Sequence, residues 1–233
     1  MRWLRLIIIL LILRPALFIV TGSGIRGRHR LPSTGPGIVI ANHNSHLDAL
    51  VLMAALPWRG ILRAQPIVAG DYFATTLWGR ILVLGILGGV PIARQRKGPN
   101  DDPLAPAKEA LEQGSILIFF PEGTRGEPEQ FGQVKKGLGY LISAMPDTRV
   151  TPVWLTNLGR SWPRGVMLPV PLACRGWVGR RLKWTGDVNS YVAGVETRLL
   201  QLSALVSRDL PRVYDYDPES PLKSKLNPDQ PSN

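Results

Sequence analysis

Hydrophobic residues occur along this chain in short continuous runs, separated by stretches with helical spacing. The runs are rich in β-branched residues and end at glycine, proline or polar residues, which is typical of buried strands. The sequence predicts strands at residues 37–41, 67–69, 90–93, 115–120, 150–155, 168–172 and 181–184. It predicts helices at residues 48–56, 72–87, 103–113, 134–145 and 191–209. Strands that alternate with helices predict an α/β fold with a mixed central sheet flanked by helices.

The first 21 residues have the character of a membrane-anchoring helix. Residues 6–20 are apolar apart from Arg14 and Pro15. As a helix, this stretch extends over about 22 Å at about 1.5 Å per residue, which is less than the thickness of a bilayer core. We therefore expect a monotopic or shallowly inserted helix, with Trp3 and the arginines Arg2, Arg5 and Arg14 at the headgroups and Pro15 kinking or ending the helix. A signal peptide and a buried core helix are the alternatives.

Composition divides the remainder of the chain into three parts. Residues 22–37 are rich in glycine, proline and arginine, and we interpret them as a linker. Residues 38–210 carry the predicted strands and helices and are long enough for one domain with its own core. Residues 211–233 are polar and rich in proline, which predicts a disordered tail.

Charge favours an anionic partner. The chain has 28 Lys and Arg against 17 Asp and Glu, a net charge of +11, and residues 1–30 and 149–183 contain no acidic residue. Such basic segments attract anionic lipid surfaces, nucleic acids or acidic carrier proteins. A basic module that binds a membrane or nucleic acid without catalysis is therefore one interpretation. We expect no nucleic-acid partner, because the basic residues lie in predicted linkers and loops without an aromatic platform or a reading helix. The single cysteine, Cys174, excludes an internal disulfide and a cysteine-based metal centre.

Two polar clusters follow strong strand predictions, at residues 42–48 and 120–125. In the first cluster, four residues separate His43 from Asp48, so a strand-to-helix turn can fold the carboxylate back onto the imidazole. Such a pair performs acid–base catalysis, because the carboxylate fixes one ring nitrogen as a donor and leaves the other free as a base. Ser45 is better placed as a helix cap than as a nucleophile. A metal site at His43, His46 and Asp48 is the alternative, but we expect no metal and no cofactor.

These clusters resemble the motifs of the glycerolipid acyltransferases, of the lysophosphatidate acyltransferase type. Residues 42–48 (NHNSHLD) fit the family's N-H-x4-D motif, and residues 120–125 (FPEGTR) contain its E-G-T-R block. Residues 88–94 (GGVPIAR) resemble the G-x-x-x-I-x-R block, and residues 150–153 (VTPV) resemble the fourth block. A lysine–glycine pair at residues 135–137 (KKG) also matches. The four blocks occur in the family's order within residues 36–205.

The resemblance implies a role for each matched residue. His43 would take the proton from the free hydroxyl of a lysophospholipid, and Asp48 would orient the imidazole. Arg94 and Arg125 would bind the phosphate of the acceptor. Four further positions would bind substrate: Glu122 by holding an acceptor hydroxyl or an arginine, Gly123 by close backbone approach, Thr124 within the same loop, and Pro152 by shaping a pocket.

The resemblance also implies the reaction. A fatty acyl group would pass from acyl-CoA or an acyl carrier protein to a lysophospholipid, with 1-acylglycerol-3-phosphate as the default acceptor and phosphatidate as the product. Acylation of a lysolipid without phosphate, such as a lyso-ornithine lipid, is the nearest rival. The expected location is a membrane surface on the cytoplasmic face, because acyl donors are made there and the N-terminus is positively charged.

Overall fold

One sheet organises the part of the chain that the computed structural model describes, namely residues 2–22, 24–45, 47–69, 85, 87–93, 98, 101–124, 126, 131–161 and 173–209. Its strands within these residues are β1 (Gly24–Arg26), β2 (Gly37–Ala41), β3 (Ala64–Ala69), β4 (Val90–Ile92), β5 (Ile116–Phe119), β6 (Arg149–Thr156) and β7 (Arg175–Val178). They are hydrogen-bonded in the order β1-β7-β6-β2-β5-β3-β4.

The sheet is mixed, as the sequence predicts. The strands β2 to β6 are mutually parallel, whereas β7 is antiparallel to β6 and β1 is parallel to β7. The five parallel strands therefore all end at one edge, which we call the carboxyl edge, and all begin at the opposite amino edge. All five residues of β2 are buried, as expected of a parallel strand that is covered on both faces.

Helices cover both faces of the sheet. Those described are α1 (Arg2–Thr21), α2 (Leu47–Ala55), α3 (Trp58–Arg63), α4 (Ala105–Glu112), α5 (Gly137–Ala144), α6 (Leu158–Ser161) and α7 (Val188–Asp209). The helices α1, α2 and α3 pack in one hydrophobic cluster with Val39 and Ile118 of the sheet. On the other face, α4, α5 and α7 pack with Ile38 and Leu117. We call these the α1 layer and the α7 layer.

Several predicted elements require correction. The segment interpreted as a linker contains β1, whose three residues pair with β7, and a short 3-10 turn at Arg28–Arg30. A strand of three residues has too little periodicity to be visible in sequence. The predicted strand at residues 181–184 is only an isolated bridge between Leu182 and Val150. The strand β7 and the helix α3 were not predicted. The expectations for residues 72–84, 168–172 and 211–233 lie outside the described residues.

The N-terminal helix runs unbroken through Pro15, contrary to the expected kink or end. Its middle turn, Ile9–Leu13, is π-helical, and the backbone N–H of Arg14 donates to the Ile9 carbonyl. Pro15 has no N–H to donate, and it lies directly after this π-helical turn, in which the α-helical hydrogen-bond pattern is already interrupted. The helix is long and apolar enough to cross a membrane, with a mean hydropathy of 2.4, and 28% of it is buried against the domain. A core helix and a signal sequence can share these properties.

Two arginines of α1 are directed into the domain rather than toward lipid headgroups. Arg5 is buried and donates to the carbonyls of Leu62, Ala64 and Leu87. Arg14 donates to the carbonyls of Ala54 and Leu56 at the C-terminal end of α2. The expectation that Arg5 and Arg14 reach the headgroups is therefore wrong, because free carbonyls at a helix end bind a guanidinium well. The opposite face of α1 carries exposed apolar side chains: Trp3, Leu4, Ile7, Leu11, Ile12, Phe18 and Ile19.

Candidate active site

The two polar clusters meet at the carboxyl edge of the sheet. The strands β2 and β5 are hydrogen-bonded neighbours, so the loops that follow Ala41 and Phe119 emerge side by side. The backbone N–H of Gly126 donates to the His43 carbonyl at 3.1 Å, which ties the second loop to the first. A crevice beyond the carboxyl ends of parallel strands is where α/β sheets usually place their ligands.

His43 and Asp48 form a direct pair. The distance between His43 Nδ1 and Asp48 Oδ2 is 2.9 Å. The same oxygen accepts the backbone N–H groups of Asn44 at 2.7 Å and Ser45 at 2.8 Å. Three donors around one oxygen require that Nδ1 carries a proton, so in the neutral imidazole Nε2 is the nitrogen that can accept one. The Asp48 side chain is fully buried, whereas that of His43 is 20% exposed, so the pair is anchored inside and accessible at the imidazole.

The sequence explains why this pair forms. Asp48 stands in the first turn of α2, where a carboxylate can accept backbone N–H groups and interacts favourably with the helix dipole. The Ser45 hydroxyl accepts the Leu47 N–H at 3.2 Å, so Ser45 acts as a cap, as predicted from its position. His43 is thereby held at the end of β2, with the helix delivering the carboxylate to it.

Phe120 fixes the plane of the imidazole. Its ring stacks on that of His43 with centroids 4.0 Å apart and an angle of 16° between the planes. The hydrogen bond to Asp48 restrains the ring edge and the stacking restrains its face, so the imidazole has little freedom to rotate. Phe120 precedes the E-G-T-R block in the chain, and the sequence analysis assigned it no role.

Glu122 holds the backbone of the site together. Its Oε1 accepts the His43 backbone N–H and its Oε2 accepts the Gly132 N–H, each at 2.8 Å. A Cβ atom at Gly132 would lie 2.9 Å from Oε2, so a larger residue there would displace the Glu122 carboxylate. Burial raises the pKa of the Glu122 carboxyl, and the two backbone hydrogen bonds oppose that shift. These contacts make Glu122 a positioning residue, while its predicted contact with substrate stays a prediction.

The side-chain amide of Asn42 continues the hydrogen bonding between two strands. Its amide Nδ2 donates to the Leu155 carbonyl and its Oδ1 accepts the Leu155 N–H, both at 2.8 Å. The side chain thus continues the pairing of β2 with β6 beyond Ala41, where the backbone leaves the ladder. The direction in which His43 leaves the sheet is set by this buried pair of bonds, which the sequence analysis did not anticipate.

The other predicted substrate-binding positions differ in what the structure places around them. Gly123 adopts a φ of +72°, and a Cβ there would lie 3.1 Å from Lys135 Nζ, so that cation lies beside the loop. Thr124 is exposed in the same loop. Pro152 pairs with Ile40 within the sheet, and a Cβ at Gly179 would meet its ring and Leu202 in the α7 layer.

Some predicted positions lie outside the described residues. Arg94, Arg125 and His46 are among them, so their predicted roles stay predictions. The strand β4 ends at Ile92, and its carboxyl end shares an edge with those of β2 and β5. Within the described part of the chain, no group of three His, Cys, Asp or Glu side chains is arranged to hold a metal ion.

Comparison with known proteins identifies the family. The family model named Acyltransferase matches residues 23–156, which is more than half of the chain. The chain belongs to this family. The resemblance drawn from the four sequence blocks is therefore confirmed, and the matched region contains the described strands from β1 through β6.

Several curated proteins are similar to this acyltransferase-family chain. A chloroplastic 1-acyl-sn-glycerol-3-phosphate acyltransferase of Arabidopsis thaliana is 30% identical over 148 residues, which is 60% of this chain and 38% of the plant protein. The human 1-acyl-sn-glycerol-3-phosphate acyltransferase alpha is 30% identical over 134 residues, covering 57% of this chain and 45% of the human protein. The chain thus matches less than half the length of these relatives.

The fold also has a solved counterpart. The crystal structure of the 1-acyl-sn-glycerophosphate acyltransferase PlsC from Thermotoga maritima superposes with a TM-score of 0.67. The match covers 88% of this chain and 80% of that protein at 21% sequence identity. This likeness confirms the predicted α/β fold with a mixed central sheet flanked by helices.

Proposed function

We propose that this protein transfers a fatty acyl group from an acyl thioester to the free hydroxyl of 1-acylglycerol-3-phosphate, giving phosphatidate. Family membership and the similarity to 1-acyl-sn-glycerol-3-phosphate acyltransferases support the reaction class and the acceptor. The observation that carries the proposal is the buried Asp48 carboxylate, which accepts from His43 Nδ1 and so leaves Nε2 as the base on a partly exposed ring. Direct attack by a substrate hydroxyl suits this base, because the neighbouring Ser45 hydroxyl serves as a helix cap.

The proposed mechanism needs no covalent enzyme intermediate. His43 Nε2 accepts the proton of the lysophosphatidate hydroxyl as the hydroxyl oxygen attacks the thioester carbonyl carbon. The carbon–sulfur bond then breaks, and the thiolate leaves and takes the proton from the imidazolium. Asp48 stabilises the imidazolium that exists between these steps, because it accepts from the ring at 2.9 Å. The products are phosphatidate and a free thiol, from either acyl-CoA or an acyl carrier protein.

The substrate contacts complete the proposal. Arg94 and Arg125 bind the acceptor phosphate, to which a planar guanidinium fork is well suited. Gly123, Thr124 and Pro152 contribute to the substrate pocket. Glu122 serves the site through the backbone of His43, at 2.8 Å, whether or not it also meets the substrate.

The proposed place of action is a membrane surface on the cytoplasmic face. The apolar helix α1 supports membrane association, because its buried face contacts the domain and its opposite face is rich in exposed apolar side chains. A lysophospholipid is itself a membrane component, so an active domain joined to such a helix meets its acceptor at the bilayer surface.

A paired assay tests the proposal. Purified protein is given lysophosphatidate in liposomes with acyl-CoA or acyl–acyl carrier protein, and both thiol release and phosphatidate are measured. Wild type and the control His29→Ala, an exposed histidine away from the site, should form phosphatidate, whereas His43→Ala should form almost none. Equal activity in His43→Ala would overturn the mechanism. Acylation of lyso-ornithine lipid in place of lysophosphatidate would overturn the proposed acceptor.

A further inference from the structure

An open cavity of about 320 Å³ lies beside the first turn of α1. Three arginines, two hydroxyl side chains and an aromatic ring line it: Arg2, Arg59, Arg63, Ser33, Thr34 and Trp3. No acidic side chain is among its lining residues. Its volume is near the lower limit for pockets that bind small ligands, which suits one headgroup-sized ligand.

Within the part of the chain that the structure describes, the three arginines have no acidic partner. None of them forms a salt bridge there, and the Arg63 guanidinium donates to the Gly114 carbonyl. The Arg59 guanidinium instead lies 5.1 Å from the centre of the Trp58 ring, which restrains it without neutralising it. Arginine, serine and threonine residues that line one cavity without an acidic residue suit an oxyanion, and phosphate matches the guanidinium fork best.

The surroundings indicate that this phosphate belongs to a lipid. The cavity adjoins the end of α1 at which Trp3, Leu4 and Ile7 are more than half exposed. Trp58, next to Arg59, is 49% exposed. Exposed tryptophans beside arginines at the end of an apolar helix are typical of the headgroup level of a bilayer. A free phosphate ion would make no favourable contact with these apolar side chains, whereas a lipid would.

The cavity is separate from the candidate active site. Arg63 directly precedes β3, and Thr34 comes three residues before β2 begins at Gly37, so both lie at the amino edge. His43 follows the other end of β2. The five residues of β2 extend over about 16 Å at about 3.3 Å per residue, so one headgroup cannot contact both places.

We propose that this cavity binds the phosphate of an anionic membrane phospholipid that is not the acyl acceptor. The bound lipid holds the first turn of α1 and the Trp58–Arg63 helix at the bilayer surface. This inference does not rest on the proposed reaction, since binding is measurable without turnover.

Vesicle binding by the full chain tests the inference. The triple variant Arg2→Gln, Arg59→Gln, Arg63→Gln is compared with wild type on phosphatidylcholine vesicles with and without phosphatidylglycerol. The matched control is Arg180→Gln, Arg181→Gln, Lys183→Gln, which removes three exposed cations from a segment whose Leu182 packs in the α7 layer. Both variants lose the same formal charge, so only the location differs.

The cavity variant should lose about 100-fold in binding to the anionic vesicles, at about fivefold per arginine near an anionic surface. The control should lose less than about tenfold, and binding to pure phosphatidylcholine should not change. Equal losses of vesicle affinity in the two variants would show that only the total charge of the protein matters, and would overturn the proposed site. Displacement of wild type from vesicles by millimolar inorganic phosphate, but not by the soluble headgroup glycerol phosphate at equal ionic strength, would also overturn it, because the site would then select a free ion.

Two further measurements distinguish a protein partner from a lipid and a misfolded variant from a lost site. If the cavity variant lost binding to acidic acyl carrier protein and kept its vesicle binding, the partner would be a protein and the lipid proposal would be wrong. If the triple variant did not fold, Arg59→Gln and Arg63→Gln singly should each lose about fivefold on anionic vesicles. An unchanged affinity in both single variants would overturn the proposal.

Discussion

Replacement of Asp48 by asparagine perturbs the candidate site with almost no change of shape. The carboxylate Oδ2 accepts three hydrogen bonds, from His43 Nδ1 and from the N–H groups of Asn44 and Ser45. An asparagine must keep its carbonyl oxygen in that place, because its NH₂ group would otherwise face three donors. The NH₂ group then occupies the position of Oδ1, which is buried without a hydrogen-bond partner among the described residues.

The size of the effect follows from this geometry. The variant still orients the imidazole, but in the proposed mechanism it loses the negative charge that stabilises the imidazolium. A hydrogen bond to a charged group contributes about 1.5–3 kcal/mol, which corresponds to about 10- to 150-fold in rate. We expect kcat to fall by about 10- to 10²-fold with KM within about threefold. The orphaned NH₂ group should cost about 2 kcal/mol of unfolding free energy, or about 4–8 °C in Tm.

Steady-state acylation of lysophosphatidate and a thermal melt measure both quantities. The matched control is Asp102→Asn, because Asp102 also accepts a backbone N–H, from Leu104, and pairs with Lys108 away from the site. The control should lose stability without losing kcat. If Asp48→Asn kept a kcat within about threefold of wild type, Asp48 would not stabilise charge on His43 and the acid–base account would be wrong.

Three further substitutions test side chains that hold the backbone of the site and its neighbouring helix in place. Burial raises the pKa of Glu122, so the contribution of this carboxyl to stability is present below the usual glutamate pKa and is lost as pH rises through the raised value. The difference in unfolding free energy between wild type and Glu122→Gln, measured by denaturant unfolding, should therefore shrink over that pH range. A difference that grew with pH would contradict this sign. Asn42→Ala should lower the free energy of unfolding by about 2–4 kcal/mol, because it leaves both backbone groups of Leu155 unpaired. A denaturation midpoint equal to that of wild type would refute the role of Asn42 in joining β2 to β6. Arg14→Ala should lower Tm by about 2–6 °C, because two carbonyls at the end of α2 lose their donor, and Arg14→Lys should recover part of that loss.

The predictions that succeeded rest on local pattern. The strands β2, β5 and β6 were predicted close to their observed bounds, because each contains a continuous run of buried and mainly apolar residues. The pairing of His43 with Asp48 was also predictable, because it forms within one strand-to-helix turn and needs no information from the rest of the chain.

The contacts that sequence reasoning missed join distant parts of the chain. Glu122 bonds to a backbone group 79 positions away, and Asn42 to one 113 positions away. Both contacts exist only because the sheet places β5 and β6 on either side of β2, and no local pattern records that order. Arg5 and Arg14 were misjudged for a related reason. A cation in an apolar helix suggests the headgroup layer, but the carbonyls at the ends of neighbouring helices provide partners inside the domain.

In the proposed mechanism, His43 activates the acceptor hydroxyl directly. A single-turnover reaction distinguishes this from a covalent route: the protein is mixed with an acyl thioester, first without and then with lysophosphatidate, and thiol and phosphatidate are followed together. We expect no thiol release before acceptor is added, equal rates for both products afterwards, and neither product with His43→Ala. A burst of thiol equal to the amount of enzyme in the absence of acceptor would show a covalent acyl-enzyme and refute direct activation by His43.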